Sequence, residues 1–165
     1  MKVIDVKDYD ICNYKKPSMF IIMPYCSFKC DKENGCQLCQ NSALAKYNKI
    51  DISIDKLIDM YDKNTLVKSI VFGGLEPFDS AEDLNCFIMN FRQYHADTIV
   101  IYTGYTEQEV HEKFSWIFLY ENIIIKYGRF RPNQNRHYDE LLGVYLASDN
   151  QYAKAYNIID ESYIN

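Results

Sequence analysis

Apolar residues along the chain recur with two different periods, and the two kinds of segment alternate. Continuous apolar runs typical of buried strands occupy residues 19–23, 68–72, 98–102 and 122–126. Segments with an apolar face at helical spacing lie between these runs, at 54–63, from Ser80 to Phe91, and from Thr106 to about Phe114. Strands that alternate with amphipathic helices predict right-handed βαβ units and a parallel sheet.

Weaker patterns lie at the two ends of this alternating region. Residues 2–6 predict a short edge strand, 128–143 an extended loop, and 144–146 a last strand. The start of each helix carries a capping signal. Ser53 is a good N-cap residue, Ser80 is followed by Asp83 at capping-box spacing, and residues 106–109 (Thr-Glu-Gln-Glu) match the capping box itself.

Unusual residues follow each of the four predicted strands. The first strand leads into a cysteine-rich segment, residues 25–41, which we call the cysteine loop. The second is stopped by the glycines of 73–77 (Gly-Gly-Leu-Glu-Pro), the third leads into 103–105 (Thr-Gly-Tyr), and the fourth into 127–130 (Tyr-Gly-Arg-Phe). Parallel α/β folds bind ligands at the carboxyl ends of their strands, so these segments predict one shared site.

Composition narrows the class of protein. The chain has 165 residues, which predicts one domain, and its 48% hydrophobic and 25% charged residues are typical of a globular fold. A net charge of −5 argues against a nucleic-acid partner, because phosphate binding needs a basic surface. No apolar run approaches the roughly 20 residues that span a bilayer, and the N-terminus does not resemble a signal peptide. We therefore expect no membrane partner and a cytoplasmic location.

Cysteine spacing gives the strongest chemical signal. Six cysteines are present, and four of them lie within fourteen residues in the pattern Cys26-x3-Cys30-x5-Cys36-x2-Cys39. A group of cysteines inside an ordinary cytosolic domain is more typical of metal ligation than of disulfides. Three kinds of site fit the pattern: a structural zinc site, a four-cysteine iron–sulfur site, and a three-cysteine iron–sulfur site with one open iron.

The residues around the cysteines carry a resemblance. Cys26-Ser-Phe-Lys-Cys30, followed by Cys39-Gln-Asn, resembles the Cys-x3-Cys-x2-Cys loop of radical S-adenosylmethionine enzymes, with eight residues between Cys30 and Cys39. The resemblance implies that Cys26, Cys30 and Cys39 are the catalytic cluster ligands. They would hold three irons of a 4Fe–4S cube and leave the fourth free for S-adenosylmethionine. Three roles stay open for Cys36: a ligand in place of Cys39, a further ligand, or an incidental thiol in the residues inserted between Cys30 and Cys39. Its position beside Gly35 favours the last of these.

Four further segments extend the resemblance. Residues 71–77 are similar to the superfamily's Gly-Gly-Glu-Pro motif, with Leu75 inserted, and 101–106 are similar to the Tyr-Thr-Gly-Tyr segment of anaerobic ribonucleotide reductase activating enzymes. Residues 127–130 and Asn150-Gln151 resemble that family's closing segments, although Ala147 replaces a glycine. The residues expected to bind cofactor are Leu38, Gln40, Gly73, Gly74, Glu76, Tyr102 and Thr103.

The resemblance also implies a fold and an activity. The expected fold is a small partial parallel (β/α) barrel, open at the carboxyl ends of its strands, in one domain over 1–165 with a core at about 19–151. The expected oxidoreductase would use a 4Fe–4S cluster to cleave S-adenosylmethionine to methionine and a 5′-deoxyadenosyl radical. That radical would remove a hydrogen atom from a glycine in the large subunit of an anaerobic ribonucleotide reductase.

The partners follow from the same resemblance. They are that large subunit and a flavodoxin-like or other low-potential reductant, and Arg129 with its basic neighbours is a candidate to dock one of them. Two alternatives stay open: a radical enzyme acting on another glycyl radical protein or peptide, and a non-enzymatic four-cysteine zinc or iron–sulfur module.

Overall fold

The computed structural model describes residues 1–159 and contains a mixed α/β fold. Its strands are β1 Lys2–Val3, β2 Asp5–Asp10, β3 Ser18–Met23, β4 Ile50–Asp51, β5 Ser69–Gly74, β6 Thr98–Tyr102, β7 Ile123–Tyr127, β8 His137–Asp139, β9 Val144–Leu146 and β10 Tyr152–Tyr156. Its α-helices are α1 Lys29–Asn34, α2 Ile54–Lys63, α3 Ala81–Phe91 and α4 Glu107–Lys113. Short 3₁₀ helices lie at Ser42–Lys46, Pro77–Ser80 and Ser115–Leu119.

Six strands form the main sheet in the order β10-β7-β6-β5-β3-β2. The four inner strands are parallel, and β2 and β10 are antiparallel to their neighbours at the two edges. In the register of the sheet, Met23 lies opposite Gly74 and Tyr102 opposite Lys126. The carboxyl ends of the inner strands therefore meet at one edge, where the four unusual segments begin.

The helix signals in the sequence are mostly confirmed. The Ser53 side chain accepts a hydrogen bond from the Lys56 N–H at the start of α2, and Thr106 and Glu109 form a complete capping box at the start of α4. Ser80 is the N-cap residue of α3 as predicted, but the predicted capping box with Asp83 is absent, because the Ser80 side chain makes no capping hydrogen bond. The chain instead enters α3 through the 3₁₀ turn Pro77–Ser80.

The sheet buries apolar residues on both faces. Helices cover one face, where the predicted face of α3, including Phe87 and Phe91, packs with β6 and β7 residues such as Ile125. The other face buries Val100 and Ile124. It is covered by Tyr14 and Leu142 of the connecting segments and by Leu146 of β9.

Several strand predictions need correction. The second inner strand includes both glycines and ends at Gly74, whereas the sequence predicted its end at residue 72. The predicted loop at 128–143 contains β8, which pairs with Val144–Leu146 in a separate two-stranded sheet. The last strand is therefore β10, which pairs with β7 and had no clear apolar run to mark it. The edge strand at the N-terminus is Asp5–Asp10 rather than 2–6.

The parallel βαβ core is present as predicted, while the curvature of a partial barrel stays a prediction. The single-domain prediction for 1–165 also stays a prediction, and its residues 160–165 lie outside the described residues. Within 1–159, no helix is long and apolar enough to cross a bilayer.

Candidate metal centre

A cavity of about 500 Å³ opens at the carboxyl ends of the inner strands. It is lined by residues from all four segments that the sequence predicted to converge. Every predicted site residue except Leu38 lines it, namely Cys26, Cys30, Cys39, Gln40, Gly73, Gly74, Glu76, Tyr102 and Thr103. Leu38 does not line the cavity and is 43% exposed, so its predicted contact with the cofactor stays a prediction.

Three cysteines of the cysteine loop face this cavity as free thiols. Burial raises the pKa of all three thiols, and that of Cys26 rises to about 12 even though the Phe28 N–H donates to its sulfur at 3.3 Å. The thiols of Cys26, Cys30 and Cys39 therefore hold their protons in the metal-free fold. Metal binding would release them, since thiolates are the ligand form.

Cys36 lies apart from these three thiols. It is exposed, its thiol donates to the Asn34 carbonyl at 3.2 Å, and it does not line the cavity. In residues 1–159, no three His, Cys, Asp or Glu side chains are close enough to hold a single metal ion. Ligands of a 4Fe–4S cube bind separate irons, so they need to line a common cavity rather than converge on one point. The three cavity thiols fit that requirement.

Glu76 is the acidic group of the cavity and is 7% exposed. Its carboxylate accepts hydrogen bonds from the Thr103 hydroxyl and the Gly104 N–H, both at 2.7 Å, and from the Phe78 N–H at 3.1 Å. Burial raises the pKa of Glu76 to about 7, although these three donors act in the opposite direction. The three hydrogen bonds thus fix the position of the carboxylate. Their effect on its pKa partly cancels that of burial.

Lys126 is a cavity residue that sequence reasoning missed. It is also 7% exposed, and its ammonium donates to the Gly128 carbonyl at 3.1 Å. Burial lowers the pKa of Lys126 to about 8, and the nearby Glu76 carboxylate acts against that fall. Lys126 begins a stretch of the sequence that is rich in basic residues and extends to Arg136, which favours an exposed side chain. It also directly follows the apolar run Ile123 to Ile125, and that position is the signal that points to a buried cation.

The cysteine loop is held against the second and third segments. The Asp79 carboxylate accepts hydrogen bonds from the Ser27 N–H and, at 2.8 Å, from the Tyr105 hydroxyl. The Asn41 amide donates to the Gly74 carbonyl at 2.7 Å. These contacts fix the loop at both ends beside the sheet.

A network of charges holds α1 to the third and fourth segments. Arg129 pairs with Glu109 at 2.8 Å and with Glu33 of α1 at 2.9 Å, and Lys29 of α1 lies 3.6 Å from Glu109. Arg129 is only 8% exposed. It therefore has little free surface for the partner docking that the sequence suggested, and its contacts are internal.

The closing segment supports the fourth strand end. The Gln151 amide donates to the Gly128 carbonyl at 3.1 Å, and the Asn150 amide donates to the Arg129 carbonyl at 2.9 Å. Both contacts persist although Ala147 stands where the related segment has a glycine.

Comparisons with known proteins agree with this donor set. The family model described as "4Fe-4S single cluster domain" matches residues 18–152, which is most of the chain. No curated protein and no solved structure was found to match. The match covers the four inner strands of the sheet, the cysteine loop and the closing segment, and three free thiols that line one cavity fit a cysteine-ligated iron–sulfur group. The chain belongs to the 4Fe-4S single cluster domain family.

Proposed function

We propose that this protein is a radical S-adenosylmethionine activase that generates a glycyl radical on an anaerobic ribonucleotide reductase. One observation carries the proposal: the three cavity cysteines share their cavity with a buried carboxylate, Glu76, and a buried ammonium, Lys126. Three thiolates leave one iron of a 4Fe–4S cube without a protein ligand. The two charges are suited to the amino-acid end of the cofactor that would bind there.

The methionine end of S-adenosylmethionine carries an ammonium and a carboxylate. Glu76 is suited to accept from the ammonium, and Lys126 is suited to donate to the carboxylate, because charge-assisted hydrogen bonds are the strong ones. Gly73 and Gly74 form the adjacent cavity edge, where the missing side chains allow a ligand close to the backbone. A cavity of about 500 Å³ is also within the usual size for a small-molecule cofactor.

When bound, the reduced cluster supplies the electron that breaks the sulfur–C5′ bond of S-adenosylmethionine, and a hydrogen atom from a partner glycine completes 5′-deoxyadenosine. The chain's own residues orient the cofactor and limit the access of water. Cys12 and Tyr145 line the cavity and are also exposed, so the cavity reaches the surface where a peptide segment of a partner can enter. The large reductase subunit and a flavodoxin-like reductant are the partners of this proposal.

Reductive cleavage of S-adenosylmethionine tests the activity. The protein is reconstituted anaerobically with iron and sulfide, reduced with dithionite, and assayed for methionine and 5′-deoxyadenosine. We expect cleavage by the wild type and by Cys36→Ala, and loss of cleavage in Cys30→Ala. A colourless zinc protein, or an iron–sulfur protein that leaves the cofactor intact, would refute the proposal. Co-purification with a reductase large subunit, rather than another glycyl radical protein, tests the partner.

A further inference from the structure

The eight residues between Cys30 and Cys39 fold back on Asp31. Helix α1 ends at Asn34, and the next residue, Gly35, has a φ of +68°. The N–H groups of Gly35 and Cys36 both donate to the Asp31 carbonyl. A positive φ is readily adopted by glycine, so the chain reverses here at low cost. The reversal sends residues 36–39 back along α1 toward the cavity.

The side chain of Asp31 completes the same turn. Its Oδ1 accepts hydrogen bonds from the Leu38 N–H at 3.0 Å and from the Cys39 N–H at 2.8 Å. Since Asp31 directly follows Cys30, one residue connects the backbone positions of two cavity cysteines.

The other cavity cysteines have different anchors. Cys26 is held by the Phe28 N–H, and the Cys30 carbonyl accepts from the Asn34 amide at 2.7 Å. On the far side of Cys39, Asn41 is bound to the Gly74 carbonyl. Asp31 supplies the side-chain anchor on the N-terminal side of Cys39, where the inserted residues join it.

We propose that Asp31 is a positioning residue for the iron–sulfur centre. Its carboxylate folds the insertion into a closed turn, so that Cys39 occupies the third ligand position and Cys36 stays outside the cavity. This inference rests on the family's cluster and on Cys39 as one of its ligands. It does not depend on cleavage of S-adenosylmethionine.

Cluster loss to an iron chelator tests the proposal. Reconstituted Asp31→Ala, Asp31→Asn and the matched control Lys32→Ala are compared with the wild type by their absorbance decay under anaerobic conditions. We expect about tenfold faster loss in Asp31→Ala, which is the scale of other outer contacts to metal ligands. Asp31→Asn keeps an acceptor oxygen and Lys32→Ala removes an exposed charge of the same helix, so both should stay close to wild type. Equal loss from Asp31→Ala and wild type, or loss from Asp31→Asn as fast as from Asp31→Ala, would overturn the proposal.

A second background separates the anchoring of Cys39 from an effect on Cys36. In Cys36→Ala, which keeps the three proposed ligands, adding Asp31→Ala should accelerate cluster loss as much as it does in the wild type, because independent changes are additive. Disappearance of the Asp31→Ala effect in the Cys36→Ala background would contradict the proposal.

The metal-free protein gives an independent measurement. Alkylation of Cys39 should be about tenfold faster in Asp31→Ala than in wild type, while Cys26 and Cys30 keep their rates, because only the Cys39 backbone loses its anchor. Circular dichroism checks that each variant folds. If the wild type assembles a cluster but leaves S-adenosylmethionine intact, the function proposed above fails while the role of Asp31 stands. Unchanged Cys39 alkylation in Asp31→Ala overturns the role of Asp31 alone.

Discussion

The Thr103 hydroxyl donates a hydrogen bond of 2.7 Å to the Glu76 carboxylate, which joins the ends of the two central strands inside the cavity. The same hydroxyl accepts from the Tyr105 N–H at 3.0 Å, and Thr103 is 1% exposed. A buried group with both hydrogen-bonding roles filled is costly to replace. The acidic group of the proposed cofactor site is thus positioned by the segment that follows β6.

Thr103→Val removes this hydroxyl without changing the shape of the side chain. We expect the free energy of unfolding to fall by about 1–3 kcal/mol, because Glu76 and the Tyr105 N–H both lose a partner in the interior. Urea unfolding of the metal-free protein measures the change. Thr98→Val at the other end of β6 is the matched control, and a loss of equal size there would contradict the specific role of Thr103.

The pairing of Glu109 with Arg129 predicts a dependence of stability on pH. Burial alone would raise the pKa of Glu109, but Arg129, the Thr106 N–H and Lys29 outweigh it and lower the pKa from 4.5 to about 2. A lowered carboxyl pKa stabilises the fold fully above the ordinary pKa, and this stabilisation is lost as the pH falls through about 2.

Glu109→Gln tests this dependence. Above pH 4.5 the variant should be less stable than wild type by about 1–2 kcal/mol, since solvent partly screens the pair. The difference should shrink as the pH falls from 4.5 toward 2, which denaturant unfolding at several pH values measures. Glu112→Gln on the same helix is the control. A difference that is constant with pH would exclude the ion pair as its cause.

Local signals explain which parts of the fold could be predicted. The caps at Ser53 and Thr106 depend on residues three positions apart, so the sequence contains the whole interaction. β10 depends on pairing with β7, which lies more than twenty residues earlier and is separated from it by another small sheet. Such pairing leaves only a weak local pattern.

In the candidate site, too, some features follow from local sequence signals and others depend on long-range contacts. The positions of Cys26, Cys30 and Cys39 on one cavity follow from strand order together with a motif, and both can be read in the sequence. The buried state of Lys126 could not be predicted from its basic neighbours, because it depends on which residues the tertiary fold places around the side chain. The internal pairing of Arg129 has the same origin.

Two glycines with positive φ allow the destabilising effect of backbone strain to be measured apart from that of steric crowding. A Cβ at Gly74 would lie 2.5 Å from a methyl group of Ile22, whereas a Cβ at Gly35 would meet nothing within 4 Å. Gly74→Ala should therefore lower the free energy of unfolding by about 1–3 kcal/mol more than Gly35→Ala, which carries the backbone cost alone. Thermal or urea unfolding of the two variants gives the comparison, and equal losses would show that Ile22 moves aside freely.

Thiol alkylation of the metal-free protein should divide the six cysteines into two groups. Cys12, Cys36 and Cys86 are exposed and should react with iodoacetamide first at pH 8. Cys26 should react at least about tenfold more slowly, because burial raises its pKa to about 12 and leaves little thiolate. Mass spectrometry of the digested protein gives each rate. Protection of Cys36 instead of Cys39 after reconstitution would contradict the assignment of the ligands.

The proposed function requires three cysteines that hold the cluster and one iron that is open to S-adenosylmethionine. Mössbauer spectroscopy of protein reconstituted with ⁵⁷Fe, with and without S-adenosylmethionine, distinguishes that iron from the other three. We expect one iron of the four to change its isomer shift when S-adenosylmethionine is added, in the wild type and in Cys36→Ala alike. Four irons with cysteine-like spectra that do not respond to S-adenosylmethionine would contradict the proposed function.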